Sequence, residues 1–191
     1  MHNQLNFREQ ASARVEKAPS AADALGIKGK WKVQHFRKGS LIDPSLGEEM
    51  VMIDEFEAFN APTNLGVNYV LDAGFGGGSQ ISPWYIGLID NAAGALANTD
   101  TLASKAWTEA TGYSGGARIE WQDDAASSRT KVNSTTADFN ITGSATIRGL
   151  FVAEDDTPGG TTGILWSTAL FGTPSAVVNT DVLKLVYSLG A

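Results

Sequence analysis

Apolar and polar residues alternate along most of this chain, and that alternation predicts a protein built from short strands. In 30–37, Trp31, Val33 and His35 fall on one face and Lys30, Lys32 and Gln34 on the other. Lys38-Gly39 predicts a hairpin turn, with its partner strand at Leu41-Ile42 or in the later run 50–59. Residues 43–49 then form an exposed loop. Within 50–59, Met50, Met52, Asp54 and Phe56 oppose Val51, Ile53, Glu55 and Glu57. The most apolar run is 81–90, preceded by a glycine turn at 74–78. Its portion 84–90 predicts a central strand covered on both faces. Short strands are expected at 107–110, 117–121, 131–133 and 137–142, the last with Phe139 and Ile141 inward. Gly143-Ser144 predicts a turn from which 145–153 pairs back on 137–142. Strands at 163–171 and 181–189 close the chain, with Leu183, Leu185, Tyr187 and Leu189 on one face.

Helical spacing occurs in two places, with a further helical turn expected at Thr99 or Asp100. Thr63 or Asn64 can cap a short helix whose inner side carries Val67, Val70 and Leu71 and which Gly74 ends. Near the N-terminus, Phe7, Ala11 and Val15 make a narrow apolar stripe on a helix over about 4–17, which Pro19 terminates, and a helical turn follows over 21–25. So thin a stripe does not support an isolated helix, so this segment is expected to order by docking on a neighbour. The fold class is therefore mainly β: an antiparallel β-sandwich, jelly-roll-like, with one short internal helix and an N-terminal helical arm. The domain division is an arm over 1–28 and a sandwich body over 29–191.

Composition supports this picture. At 191 residues the chain can bury roughly 70% of its unfolded surface in one core. The 21 glycines suit many turns, and the absence of cysteine excludes disulfides and thiolate metal sites. No apolar run reaches the ~20 residues that span a bilayer, and no apolar signal region follows Arg8, Arg14 and Lys17, so no membrane partner is expected. The net charge of −7 is divided: residues 1–38 hold eight bases against three acids, and 39–191 hold six bases against eighteen acids. That division suggests a basic arm meeting an acidic body in a neighbouring copy, with Phe7, Arg8, Ala11, Arg14, Val15 and Lys17 as the docking residues. An acidic body repels phosphate, so nucleic acid is not an expected partner.

The chain offers little chemistry. Gly112-Tyr113-Ser114-Gly115-Gly116 fits the string of a hydrolase elbow, but that device needs a following helix and a later histidine, and His2 and His35 both precede it. The glycines at 74–78 lack the lysine and hydroxyl of a phosphate loop. Asp123-Asp124 and Glu154-Asp155-Asp156 lack the spacing of a calcium loop and read as solvated loop charges. No catalytic residue, cofactor or metal is expected, and the protein reads as a non-enzyme. The five tryptophans could stack on sugars if exposed, but each sits in a strand-like segment that favours burial.

An ordered series of short motifs carries a resemblance. It runs through Gly29-Lys30-Trp31-Lys32-Val33, Asn64-Leu65-Gly66-Val67-Asn68-Tyr69-Val70-Leu71-Asp72 and Trp84-Tyr85-Ile86-Gly87-Leu88. It continues with Trp107-Thr108-Glu109, Tyr113, Arg118, Trp121, Gly149-Leu150-Phe151 and Thr162-Gly163-Ile164-Leu165. The series resembles a poorly characterised group of structural proteins of tailed bacteriophages over about 29–191; the arm and the insertion 43–49 lie outside the pattern. The resemblance implies a virion component, made in the host cytoplasm, that assembles with other virion proteins and with itself as a homo-oligomer. The expectation is a capsid decoration or cement protein attached through its N-terminal arm. The alternatives are a tail-associated fibre or adaptor and a carbohydrate-binding adhesin.

Overall fold

The computed structural model describes residues 26–39, 49–91 and 94–190. The predicted arm helix over 4–17, the turn at 21–25 and the Leu41-Ile42 strand lie outside these residues. The described residues form ten strands and one helix: β1 (Lys28–Lys38), β2 (Met50–Pro62), α1 (Asn64–Phe75), β3 (Tyr85–Asp90), β4 (Glu109–Ala110), β5 (Ile119–Glu120), β6 (Thr130–Val132), β7 (Ala137–Asn140), β8 (Ala145–Ala153), β9 (Leu165–Val177) and β10 (Val182–Gly190). All pairings are antiparallel, in the order β4-β3-β8-β9-β2-β1-β10-β6, with β5 on β3 and β7 on β10. No helix among the described residues is long and apolar enough to cross a membrane.

β2 joins two groups of strands. Nine of its first ten residues, all but Ile53, pair with β1, and Asn60, Ala61 and Pro62 pair with Ala169, Thr168 and Ser167 of β9. Side chains from both groups meet in one core. Trp31, Val33, Leu183, Leu185 and Tyr187 come from β1 and β10; Ile86, Leu88, Leu150, Val152 and Ala169 come from β3, β8 and β9. Tyr187 is the hub. Its ring stacks on Trp31 at 4.2 Å and meets Trp121 edge-on at 5.0 Å. Its hydroxyl accepts from Trp166 Nε1 at 3.0 Å and Asn60 Nδ2 at 2.8 Å. Burial pushes its phenol up to about 12.

β3 is covered on both faces, as its apolar run requires. Ile86 and Leu88 enter the main core, and Ile89 packs with Leu102, Trp107, Phe151 and Leu165 in a second cluster. It is not central in the strand order, however, because only the two-residue strands β4 and β5 lie beyond it. Isolated bridges Tyr113↔Ile141 and Asp123↔Asn133 then tie the segments around β4 and β5 to those around β7 and β6.

The expected β7–β8 hairpin does not form. β7 pairs with β10, whereas β8 pairs with β3 and β9. The reason is that 147–153 is almost wholly buried and needs a partner on each edge, which an edge hairpin cannot supply. β9 also runs past the predicted end at 171. Its register jumps between Gly149↔Leu170 and Ile147↔Ser175, and Pro174 sits in that irregularity, where no ladder donor is needed.

α1 starts at Thr63, whose hydroxyl oxygen accepts from Gly66 N at 3.0 Å. It ends one residue past the predicted stop, at Phe75, with Gly76 as cap. Val67 is buried, but Leu71 is exposed, correcting its predicted inward placement. Gly66 faces the core so closely that a Cβ there would overlap the Trp166 carbonyl and ring. The expected helical turn starting near residue 100 does not form; the chain instead makes a hydrogen-bonded turn at 98–99, where Asp100 N donates to Ala97 O at 3.1 Å and Asp100 Oδ2 accepts from Ala97 N and Trp107 Nε1, both at 3.0 Å.

Candidate functional site

The predicted docking residues Phe7, Arg8, Ala11, Arg14, Val15 and Lys17 lie outside the described residues. The positive charge assigned to 1–38 can be placed. Five of its eight bases (Lys28, Lys30, Lys32, Arg37 and Lys38) are on β1. Lys30 pairs with Glu57 at 2.6 Å, Lys32 with Glu55 at 3.1 Å and Arg37 with Asp181 at 2.7 Å. Residues 1–27 keep three bases and three acids, so the net charge belongs to the sheet and not to the segment before it.

β2 carries four of the nine large hydrophobic side chains that stand exposed among the described residues. Residues 50–59 pair with β1 along one edge and, among the described residues, with nothing along the other. Val51, Met52 and Ile53 are 47%, 48% and 47% exposed, and Phe59 is 68% exposed. A bulge between His35 and Phe36 shifts the register here, which leaves Ile53 without an opposite residue. The sequence signal was present: the run Met50-Val51-Met52-Ile53 followed by two acids fits no single buried face.

A second feature is a cleft of about 440 Å³ between α1 and the sheet. Trp84, Trp121 and Trp166 line it with Val152, Tyr69 and Val70 come from α1, and Gln80, Ser82, Asp123 and Lys131 provide polar groups. Tyr69 meets Trp84 edge-on at 5.4 Å, and Trp84 lies 6.5 Å from Trp166. Ile81 N donates to the Tyr69 hydroxyl at 2.5 Å, fixing the 80–83 segment against the helix. Asp123 and Lys131 form an ion pair. Of the five tryptophans, only Trp84 is half-buried; Trp31, Trp107, Trp121 and Trp166 are buried. Their convergence could not be read from positions 84, 121 and 166, because three separate strand pairings create it.

One buried constellation has the outline of an acyl-transfer triad. Ser175 Oγ lies 3.2 Å from His35 Nδ1, and His35 Nε2 lies 2.7 Å from Asp181 Oδ2. Its surroundings oppose that chemistry. All three side chains are buried, Ser175 does not line the cleft, and Asp181 also accepts from Arg37 Nε at 2.9 Å and Val178 N at 2.9 Å. Burial alone would raise the Asp181 carboxyl, but the hydrogen bonds from Arg37, Val178 and His35 outweigh it and hold the group at about 2. The cluster clamps β1, the end of β9 and the turn into β10.

The other candidates have structural roles. Ser114 is exposed in a turn with Gly115 and Gly116 at positive φ, and the chain proceeds to β5 and not to a helix. The acidic loop after β8 is held by its own carboxylates. Glu154 accepts from Ile164 N at 2.9 Å, and Asp155 accepts from Thr157 N at 2.9 Å, which keeps the Asp155 carboxyl below the usual range. Arg118 fastens that loop to β4 through a buried fork to Glu109, at 2.9 and 2.8 Å, and a bond to Asp155 O at 2.6 Å. The chain matches no protein-family model and no curated protein.

Proposed function

We propose that this protein is a structural component of a tailed-phage virion, most directly a capsid decoration or cement protein attached through its N-terminal residues 1–28 and the outer edge of β2. The observation that carries the reading is the outer edge of 50–59, which pairs with nothing among the described residues and where Val51, Met52, Ile53 and Phe59 stand exposed. An edge of this kind offers backbone groups and apolar side chains to an added strand. The motif series that resembles phage structural proteins supports the particle as its setting. We also infer the finer architecture, a jelly-roll-like β-sandwich. Contacts between the two strand groups support it, Phe56–Phe171 at 4.7 Å and Trp121–Tyr187 at 5.0 Å among them.

The test is incorporation. A Val51→Lys, Ile53→Lys double variant should remain folded, because both positions are half exposed, and should fail to join the particle. Truncation of residues 1–25 should likewise leave a folded body and lose attachment; the deletion stops there because Ile27 packs against the core. Normal incorporation of both proteins refutes the reading.

A further inference from the structure

We propose that the cleft between α1 and the sheet is a glycan-binding site that stacks a neutral pyranose ring on Trp84. The inference goes beyond the assembly role and does not rest on it. At about 440 Å³ the cleft falls within the range of roughly 300–1,000 Å³ typical of small-molecule sites. Its lining combines apolar ring faces with a polar rim, and this combination selects among ligand chemistries.

Asp123 and Lys131 neutralise one another at the rim, and Lys131 Nζ also donates to Asp124 O at 2.9 Å. A charged ligand would have to compete with that pair for either partner. A hydrocarbon would strip water from Gln80, Ser82, Asp123 and Lys131 and return no hydrogen bonds. A neutral pyranose satisfies both parts of the lining. Its C–H face covers an aromatic ring, and its hydroxyls can donate to the Asp123 carboxylate while accepting from Lys131, with the ion pair intact.

Trp84 is the ring placed to receive it. Trp121 and Trp166 are each 4% exposed and form the floor, whereas Trp84 keeps part of its surface open. Its plane is set from two sides, by Tyr69 at an interplanar angle of 74° and by Trp166 at 57°. The rim is equally fixed, because Tyr69 anchors Ile81 between Gln80 and Ser82. A platform and rim already in place limit the ordering that binding requires.

The test uses the full chain on an array of neutral and charged glycans, followed by isothermal titration calorimetry with the best neutral glycan retained. Retention of neutral glycans is expected, with affinity about tenfold or more weaker in Trp84→Ala and in Asp123→Ala. If Trp84→Ala does not fold, Trp84→Phe and the rim variant Asp123→Ala carry the comparison. The proposal is overturned if no neutral glycan is retained, if only charged glycans are retained, or if affinity is the same in the folded variants as in the parent.

Discussion

Asp181→Asn isolates the clamp that holds β1 to the turn before β10. The wild-type carboxylate is fully buried and accepts four hydrogen bonds, from Arg37 Nε, Arg37 Nη2, His35 and Val178 N. These donors hold the folded group at about 2, against an ordinary value of 3.8. A depressed folded value means the stabilisation is complete above the ordinary value and disappears as pH falls through the folded one. The gap from 3.8 to about 2 corresponds to about 2 kcal/mol. An asparagine keeps the shape, does not titrate here, and presents an amide to donors that need an acceptor. The variant should therefore be less stable than the parent by about 2 kcal/mol or more at neutral pH. The difference should shrink by about 2 kcal/mol between about pH 5 and pH 2. Urea unfolding of both proteins across that window measures it. Asp155 and Glu55 are also depressed, by hydrogen bonds from Thr157 and from Gln34 and Lys32, and they titrate in both proteins. The comparison cancels them. A stability difference that stays constant with pH would refute the assignment of that energy to Asp181.

Four further substitutions test the packing. Tyr187→Phe keeps the stacked ring but leaves buried Trp166 Nε1 without its acceptor, and should lower stability by about 1–3 kcal/mol in urea unfolding. Gly66→Ala should push α1 off Trp166 and cost about 1–3 kcal/mol, whereas Gly74→Ala, where a Cβ meets nothing within 4 Å, should raise the free energy of unfolding by about 0.5–1 kcal/mol. Ile86→Asp places a charge in the main core between β5 and β8 and should prevent folding; a soluble protein with native circular dichroism would contradict the role given to β3.

Where each strand's neighbours are close in sequence or its pattern alternates cleanly, the fold was legible. β1 and β10 show this: Trp31 and Val33 on one, and Leu183, Leu185 and Tyr187 on the other, face inward as their spacing predicts. The capped helix was legible from Thr63 and Val67 for the same local reason. Pairing was not. Gly143-Ser144 looks like a hairpin turn, but β8 must find two partners distant in sequence, and no local residue announces them. The charge division also misled, because composition counts Lys30 and Lys32 as an arm while cross-strand Glu57 and Glu55 place them in a sheet. The cleft was illegible for the deepest reason: Trp84, Trp121 and Trp166 meet only after β3, the segment after β5, and β9 have assembled.

The proposed virion role requires copies of this chain built into a particle. Electron cryomicroscopy of the purified virion tests it most directly. Density for the β body is expected at regularly repeated positions on the shell, with the β2 edge at 50–59 against a neighbour. Particles that contain no copy of this chain, or copies that meet the particle through another face and leave 50–59 in solvent, would contradict it.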